Sequence, residues 1–498
     1  MHNAGEWIEL MNLRSLIVLL CLSNVTFVQA ETTEPLSVKE KQSLPASQVS
    51  PSNNLPEDFT HRLKEAESGD IDAILDIGLV YMDGTDYLPA DSQQAAIWFK
   101  KAAKLGNTDG DYYLGLLAQN QEKYAEAARW YRKGAEKGDA YCQYDLGFLY
   151  ERGYGVKQDY QQAKAWYSEA AEQGQAYGQF ALGMFYHDGL GGDVDYQKAR
   201  EWYEESAQQG VASAVNNLAV LYENGEGVEK DEERAINLYR QAANMGSATA
   251  QTNMGDFYYE GHRLIEKNHY QAIYWYKRAA LQGNADAQFA MGRGYESGDG
   301  IGKDLPSAFD WYQQGAENGS VAAAMKVAEF YEQGLGGVTA DHGKAIEWYM
   351  SMADDDIPEA QVKLAEWYLE GQLPKVDSQK IVSWLLASEQ NNIQSKNQLA
   401  LFYLTGTGVQ QNVQKARELL QQSAFKDISE AQNNLAVMYA RGLGGEKNIF
   451  RAMRWFERAA QSGNAVAIKN LQLLQENKEA KASMLKYSDN VQLIMNKR

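Results

Sequence analysis

The stretch "YERGYGVKQDYQQAKAWYSEAAEQG" (Tyr150–Gly174) comes back nearly in step as "YENGEGVEKDEERAINLYRQAANMG" (Tyr222–Gly246). Both open on Tyr, pass two loop glycines and an Asp, and close on Gly. Working outward from them, the pattern A-x-x-x-L-G-x-x-Y-x-x-G recurs along the chain. Its small residue falls at Gly78, Gly115, Gly147, Gly183, Ala219, Gly255, Gly292, Ala328, Ala365, Ala400 and Ala436. The steps between these positions are 35 to 37 residues, apart from one of 32. Tyr stands three residues later in ten of the eleven cases. A period of this length marks one supersecondary unit that cannot bury its apolar face alone and must stack on copies of itself.

Each unit reads as two helices. In the first, Ala214, Leu218, Ala219 and Tyr222 share one helical face. A small residue in mid-helix admits a close neighbour, and the glycine after the Tyr ends the helix in the left-handed conformation. The second helix starts at a capping Asp or Asn: Asp91, Asp159, Asp195, Asp231, Asn268, Asp304, Asp341, Asp377, Asn412 and Asn448. Such a side chain accepts orphan N–H groups of the first turn and is worth about 1 kcal/mol. A Trp follows at Trp98, Trp130, Trp166, Trp202, Trp275, Trp311, Trp348, Trp384 and Trp455. The indole is expected to fill the gap that small residues leave between helices.

Bulk composition agrees with helices punctuated by glycine. Among 498 residues there are 43 Gly, 8 Pro, 31 Tyr and 11 Trp. A net charge of −20 disfavours nucleic acid and anionic membranes as partners. Residues 1–30 read as a signal peptide: Arg14, an apolar run from Leu16 to Leu22, and "VQA" before Glu31, with Met11 as a second candidate start. The chain is therefore expected to be secreted or periplasmic. Residues 31–57, rich in Ser, Pro and Glu, read as a disordered linker. Loss of the leader removes Cys21 and leaves only Cys142, so no intrachain disulfide is expected. Cys142 occupies the place that Ala214, Ala250 and Ala287 fill elsewhere, which marks it as a small buried residue.

The units "AYGQFALGMFYHDGLGGDVDYQKAREWYEESAQQG" and "ADAQFAMGRGYESGDGIGKDLPSAFDWYQQGAENG" resemble the Sel-one-like repeat (SLR) family, relatives of the tetratricopeptide repeat. The resemblance implies an all-α protein: a right-handed α-solenoid of about eleven helix-loop-helix repeats over 58–463, a C-terminal capping helix over 464–482, and a tail over 483–498. It implies a protein-binding scaffold or adaptor rather than an enzyme. The expected partner is an envelope complex or a host protein, including immune proteins, and the chain is expected to be monomeric with no transmembrane segment. A second reading is a β-lactam or peptidoglycan-related enzyme like the cysteine-rich SLR proteins. Those carry a Cys pair per repeat, whereas here one Cys remains. An adaptor of the eukaryotic endoplasmic reticulum is a third reading, for which "LIMNKR" offers no retention signal.

Two departures from the pattern stand out. The second unit, "LAQNQEKYAEAARWY", lacks the glycine loop. Units eight to ten lose the closing glycine, so local irregularity or a contact site is expected there.

The resemblance also puts first helices on the concave face. Positions two before and one after the small residue vary between units and are the candidate partner-binding residues: Asp145, Phe148, Met184, Asn217, Val220, Asn253, Asp256, Arg293, Glu329, Lys363 and Glu366. Ala181, Ala290, Lys326, Gln398, Leu401, Asn434 and Val437 share those places. Phe148, Met184 and Val220 are expected to form an exposed apolar strip. No catalytic residue is assigned, because G-x-S-x-G, H-E-x-x-H, C-x-x-C and a phosphate loop are all missing. No cofactor or metal is expected, since His61, His187, His262, His269 and His342 have no ligand spacing on one helix.

Overall fold

The computed structural model describes residues 56–373 and 376–476. The leader, nearly all of the linker and the tail expected over 483–498 lie outside the described residues. What is described is helical, save two isolated bridges, Thr85 to Leu88 and His262 to Ile265. The chain divides into two compact units, one ending at Gln282 and the other beginning at Gly283.

In the first unit α1 (Glu57–Ser68) precedes six hairpins: α2 (Ile71–Asp83) with α3 (Ser92–Lys104), α4 (Thr108–Asn120) with α5 (Tyr124–Ala135), α6 (Ala140–Arg152) with α7 (Tyr160–Glu172), α8 (Ala176–Asp188) with α9 (Tyr196–Gln208), α10 (Ala212–Asn224) with α11 (Glu232–Met245), and α12 (Ala248–Glu260) with α13 (His269–Ala280). The second unit has five: α14 (Ala285–Ser297) with α15 (Leu305–Glu317), α16 (Val321–Gln333) with α17 (His342–Asp354), α18 (Pro358–Glu370) with α19 (Ser378–Ser388), α20 (Ile393–Thr405) with α21 (Val413–Phe425), and α22 (Ser429–Arg441) with α23 (Ile449–Gln461). The capping helix α24 (Ala465–Glu476) closes it. The first helix of each hairpin is called A below, the second B. Eleven hairpins make this an all-α solenoid, as the spacing demands. Helix α1 belongs to no hairpin; it seats Phe59 and Ala66 on the first repeat, with Phe59 edge-on to Tyr81.

The ten capping residues sit where the pattern places them, each the N-cap of its B helix. Nine accept backbone N–H groups; Asp304 instead accepts the Ser307 hydroxyl. The carbonyl of the recurring Tyr takes the cap's own N–H, as in Asp159 to Tyr150 and Asn448 to Tyr439, which shuts the interhelical loop. In the fourth repeat Gly189 ends the A helix at φ 69°. Gly191, at φ 65°, lies on the first turn of the preceding B helix, where a Cβ would stand 2.5 Å from the Tyr160 carbonyl oxygen. The second loop glycine therefore joins one repeat to the one before it. The second repeat turns from α4 to α5 without a glycine, with Glu122 at φ 58° instead. At the closing position of repeats eight and ten, Asp356 (φ 61°) and Asp427 (φ 63°) hold the left-handed conformation that glycine holds elsewhere.

One expectation about the core needs correcting. The indoles do not fill the gap left by the small residue. The neighbouring tyrosine does: Tyr131, Tyr167, Tyr203, Tyr239, Tyr276, Tyr312 and Tyr349 are fully buried. The Tyr167 ring lies where a Cβ on Gly147 would stand 2.8 Å from it. Most of the tryptophans are only half-buried, and three of these have a cation one turn on: Lys101 over Trp98, Lys133 over Trp130 and Arg458 over Trp455. The Trp stands one residue, about 100°, off the axis that points into the hairpin, so only its edge is covered. Burying one such tyrosine ring is worth about 1.5–3 kcal/mol, and its hydroxyl can be satisfied from the A helix: Tyr167 donates to Glu151 at 2.7 Å and Tyr239 to Glu223 at 2.6 Å.

Glutamines tie consecutive repeats together. Gln143, Gln251, Gln361 and Gln432, four residues before the small position, donate to the last carbonyls of the preceding B helix at Ala135, Ala243, Ala353 and Ala424. These carbonyls lie at a helix end, where each takes a backbone N–H from the closing turn and the glutamine amide as a second donor. Gln143 and Gln251 in turn accept from Gln173 and Gln282 at the end of their own repeat. In the second repeat this place is Asp111, wholly buried and paired with Lys133 at 2.7 Å and Lys137 at 2.6 Å. Cys142 is buried and unbridged, packed on Gly134 as its alanine counterparts suggest.

Candidate functional site

Within both units successive A helices approach one another more closely than successive B helices do. The A row is therefore the inner side of each unit's curve. Positions two before and one after the small residue point along that row, so a neutral or short side chain there is caught between helices. In the first unit this buries Asp145, Phe148, Met184, Asn217, Val220 and Asn253. The expected exposed strip of Phe148, Met184 and Val220 is thus corrected: these three are 5%, 8% and 7% exposed and serve as packing between repeats. Asn217 donates to the Tyr203 hydroxyl, and Asn253 donates to Asn216 of the previous A helix. Asp256 is exposed and accepts the Tyr276 hydroxyl at 2.6 Å. Asp145 has no exposed edge from which to contact a partner. Burial first, and the nearby Asp139 second, push its carboxyl up to about 8.

The second unit differs in its eighth and ninth repeats, where long charged side chains occupy the same places and reach past the helix edge, while Asn434 and Val437 of the last repeat are buried as in the first unit. Glu329, Lys363 and Glu366 come together along the wall of an open groove of about 1140 Å³. Arg293, half-buried on α14, is not among its lining residues. The groove runs over α16, α18, α20 and α22 to the first residues of α24. Met325, Val362 and Leu401 floor it, and Asn397, Gln398 and Asn464 add amides.

Ion pairs step from one A helix to the previous one. Lys326 reaches Glu296 at 3.4 Å and Glu329 at 3.0 Å; Lys363 reaches Glu332 at 3.3 Å and lies over the Trp367 ring. Gln398 donates to Glu366 at 3.2 Å. These contacts are partly solvated, so each is worth under about 1 kcal/mol; their effect is to fix where the side chains stand. Burial raises the Glu366 carboxyl above the ordinary range; Lys363 opposes this, and Glu370 and Glu430 add to it.

Sequence reasoning missed Glu359, Gln394 and Glu430. All three are exposed at the groove and lie six residues before the small position in consecutive repeats. That shared repeat position was the available signal. The contribution of α24 had no signal at all, since it depends on how the cap docks. Among the described residues no group of three or more His, Cys, Asp or Glu could hold a metal ion. Among the same residues no helix is long and apolar enough to cross a membrane.

A stack of capped helical hairpins with its lining on the A row defines a solenoid of the tetratricopeptide-like class. A Sel1 repeat family model matches eleven segments: 71–107, 110–139, 140–175, 176–211, 212–247, 248–284, 285–320, 321–356, 358–388, 393–424 and 429–464. The chain belongs to the Sel1 repeat family. Among solved structures it is similar to a protective antigen present in uropathogenic Escherichia coli strains that displays an SLR fold, with 31% identity, 89% of this chain and 94% of that chain covered, and a TM-score of 0.54. It is also similar to a Sel1 repeat protein from Oxalobacter formigenes, with 33% identity, 47% of this chain and 95% of that one covered, and a TM-score of 0.44. No curated protein matches the chain. Proteins built of Sel1 or tetratricopeptide-like repeats generally act as protein-interaction scaffolds and are generally not enzymes.

Proposed function

We propose that the chain is a secreted or periplasmic scaffold that binds a protein partner along the inner face of its second unit. The observation that carries this reading is the groove itself. In the first unit the side chains two before and one after the small residue are mostly spent on joining repeats, whereas Glu329, Lys363 and Glu366 at those places on α16 and α18 line an open groove that continues over the start of α20 and α22. Glu329, Lys363 and Glu366 are the partner-facing residues, joined by Glu359, Gln394 and Glu430. The leader-like residues 1–30 support export. So does the similarity to a protein described as a protective antigen, which also favours a host protein as the partner.

Site-specific photo-cross-linking tests the reading. A cross-linker at Gln394 in the groove is compared with one at Glu457 on an outer B helix, using envelope and host extracts. One protein captured from Gln394 and not from Glu457 is the expected result. Equal capture from both sites refutes the groove. N-terminal sequencing of the exported chain is expected to begin at Glu31; a chain retained with its first residues intact refutes export.

A further inference from the structure

Resting on that reading, we propose that the groove of the second unit takes an extended polypeptide segment carrying lysine or arginine side chains. The lining holds five glutamates, Glu329, Glu332, Glu359, Glu366 and Glu430, against a single ammonium, that of Lys363. Lys363 is engaged by Glu332, and Glu329 by Lys326. Among the described residues Glu359 and Glu430 have no such cation, and they stand exposed in the opening. With Gln394 between them they form a row at one repeat position, one acceptor per helix. A cation entering the groove meets a carboxylate or amide oxygen at each step.

A second observation points the same way. Asn397 and Gln398 line the groove at 2% and 5% exposure, and Asn397 Oδ1 and Gln398 Oε1 are buried with no hydrogen-bond partner among the described residues. Buried acceptors of this kind call for N–H donors. A polypeptide supplies them both from its backbone and from guanidinium or ammonium groups. Burial raises the Glu366 carboxyl against the opposing Lys363, with Glu370 and Glu430 adding to the rise, so a cation added beside it is favoured.

The dimensions suit an extended strand. Three steps between neighbouring helices at about 8–10 Å each cover about 24–30 Å. At about 3.3–3.6 Å per residue that is about seven to nine residues.

The test is fluorescence anisotropy of the full chain with three peptides of about ten residues in one Gly/Ser frame, carrying Lys and Arg, Glu, or no charge. The basic peptide is expected to bind tightest, and its affinity to fall as salt rises from about 50 to about 500 mM. Glu359→Gln with Glu430→Gln, both exposed and safe for folding, is expected to weaken it about tenfold. Glu347→Gln with Glu457→Gln on outer B helices is expected to change nothing. Equal loss in both pairs means diffuse attraction to an acidic protein and overturns the proposal. A neutral peptide or a captured protein that binds through the groove and ignores the Glu359/Glu430 change leaves the scaffold reading standing and overturns the preference for lysine and arginine. Binding of the basic peptide only after residues 477–498 are removed assigns the groove to the chain's own Lys478, Lys481, Lys486, Lys497 and Arg498, and overturns an outside partner.

Discussion

Replacing Asp145 with Asn is expected to stabilise the first unit at neutral pH and to do nothing in mild acid. The Asp145 carboxyl is buried in α6, its Oδ1 has no hydrogen-bond partner among the described residues, and burial pushes it up to about 8. In the unfolded chain it returns to 3.8. The native state therefore binds a proton that the unfolded state releases between those two values. Stability falls with rising pH wherever the native state holds more protons. The Asp145 contribution is thus fully present below about pH 4, declines through the window, and levels off above about pH 8. The span from 3.8 to pH 7 is about three units at about 1.4 kcal/mol each, a ceiling of about 4 kcal/mol. Local relaxation lowers this, and about 2–3 kcal/mol is expected at pH 7. Asn has nearly the same shape and no proton to manage. The assay is urea unfolding of both chains at about pH 4, 5.5, 7 and 8.5, followed by circular dichroism. The gap should open steadily with pH. A constant gap, or an Asn chain less stable at pH 7, refutes a neutral buried carboxyl at this position.

His187 should act in an adjacent window. Burial lowers it, but Asp188 and Glu226 more than compensate and raise it to about 9. Its stabilisation is present below about 6.5 and lost as pH rises through about 9, so the melting difference between wild type and His187→Gln should vanish at about pH 10. Asp111→Asn strands two ammonium groups that now share one buried carboxylate and should cost about 1–3 kcal/mol in urea unfolding, discounted because both lysines are partly solvated. Asp356→Gly relieves a left-handed backbone worth about 1 kcal/mol and should stabilise by less than that, because the contacts of the aspartate side chain are lost with it. Asp427→Gly should be near neutral in the same melt, because it also removes the 2.8 Å pair with Arg458. Gly191→Ala forces a side chain into both a left-handed backbone and the Tyr160 carbonyl, and should cost about 2 kcal/mol or more; a chain that melts unchanged contradicts the joint between repeats.

How much was readable depends on whether a residue acts inside its own hairpin. Asp159 caps α7 and Gly153 ends α6 through bonds only a few residues long, so their spacing announced them. The Tyr167 ring was passed over in favour of Trp166 because both are aromatic and adjacent, and only the helix phase decides which enters the hairpin. The glutamine joints, such as Gln251 to Ala243, bridge two repeats, so no spacing within one hairpin announces them.

The sequence by itself determined the repeat, the eleven hairpins, their caps and their turns, since each is a local matter of hydrogen bonding and backbone conformation that recurs with the period. Only the tertiary structure decided which of two equivalent positions faces open space. Met184 and Glu366 each stand one after the small residue of their repeat, yet one is sealed between helices and the other lines the groove. The reason is physical: exposure at a helix–helix seam depends on the length and charge of the side chain and on how closely the next helix approaches. That approach is set by the neighbouring repeat rather than by the residue's own.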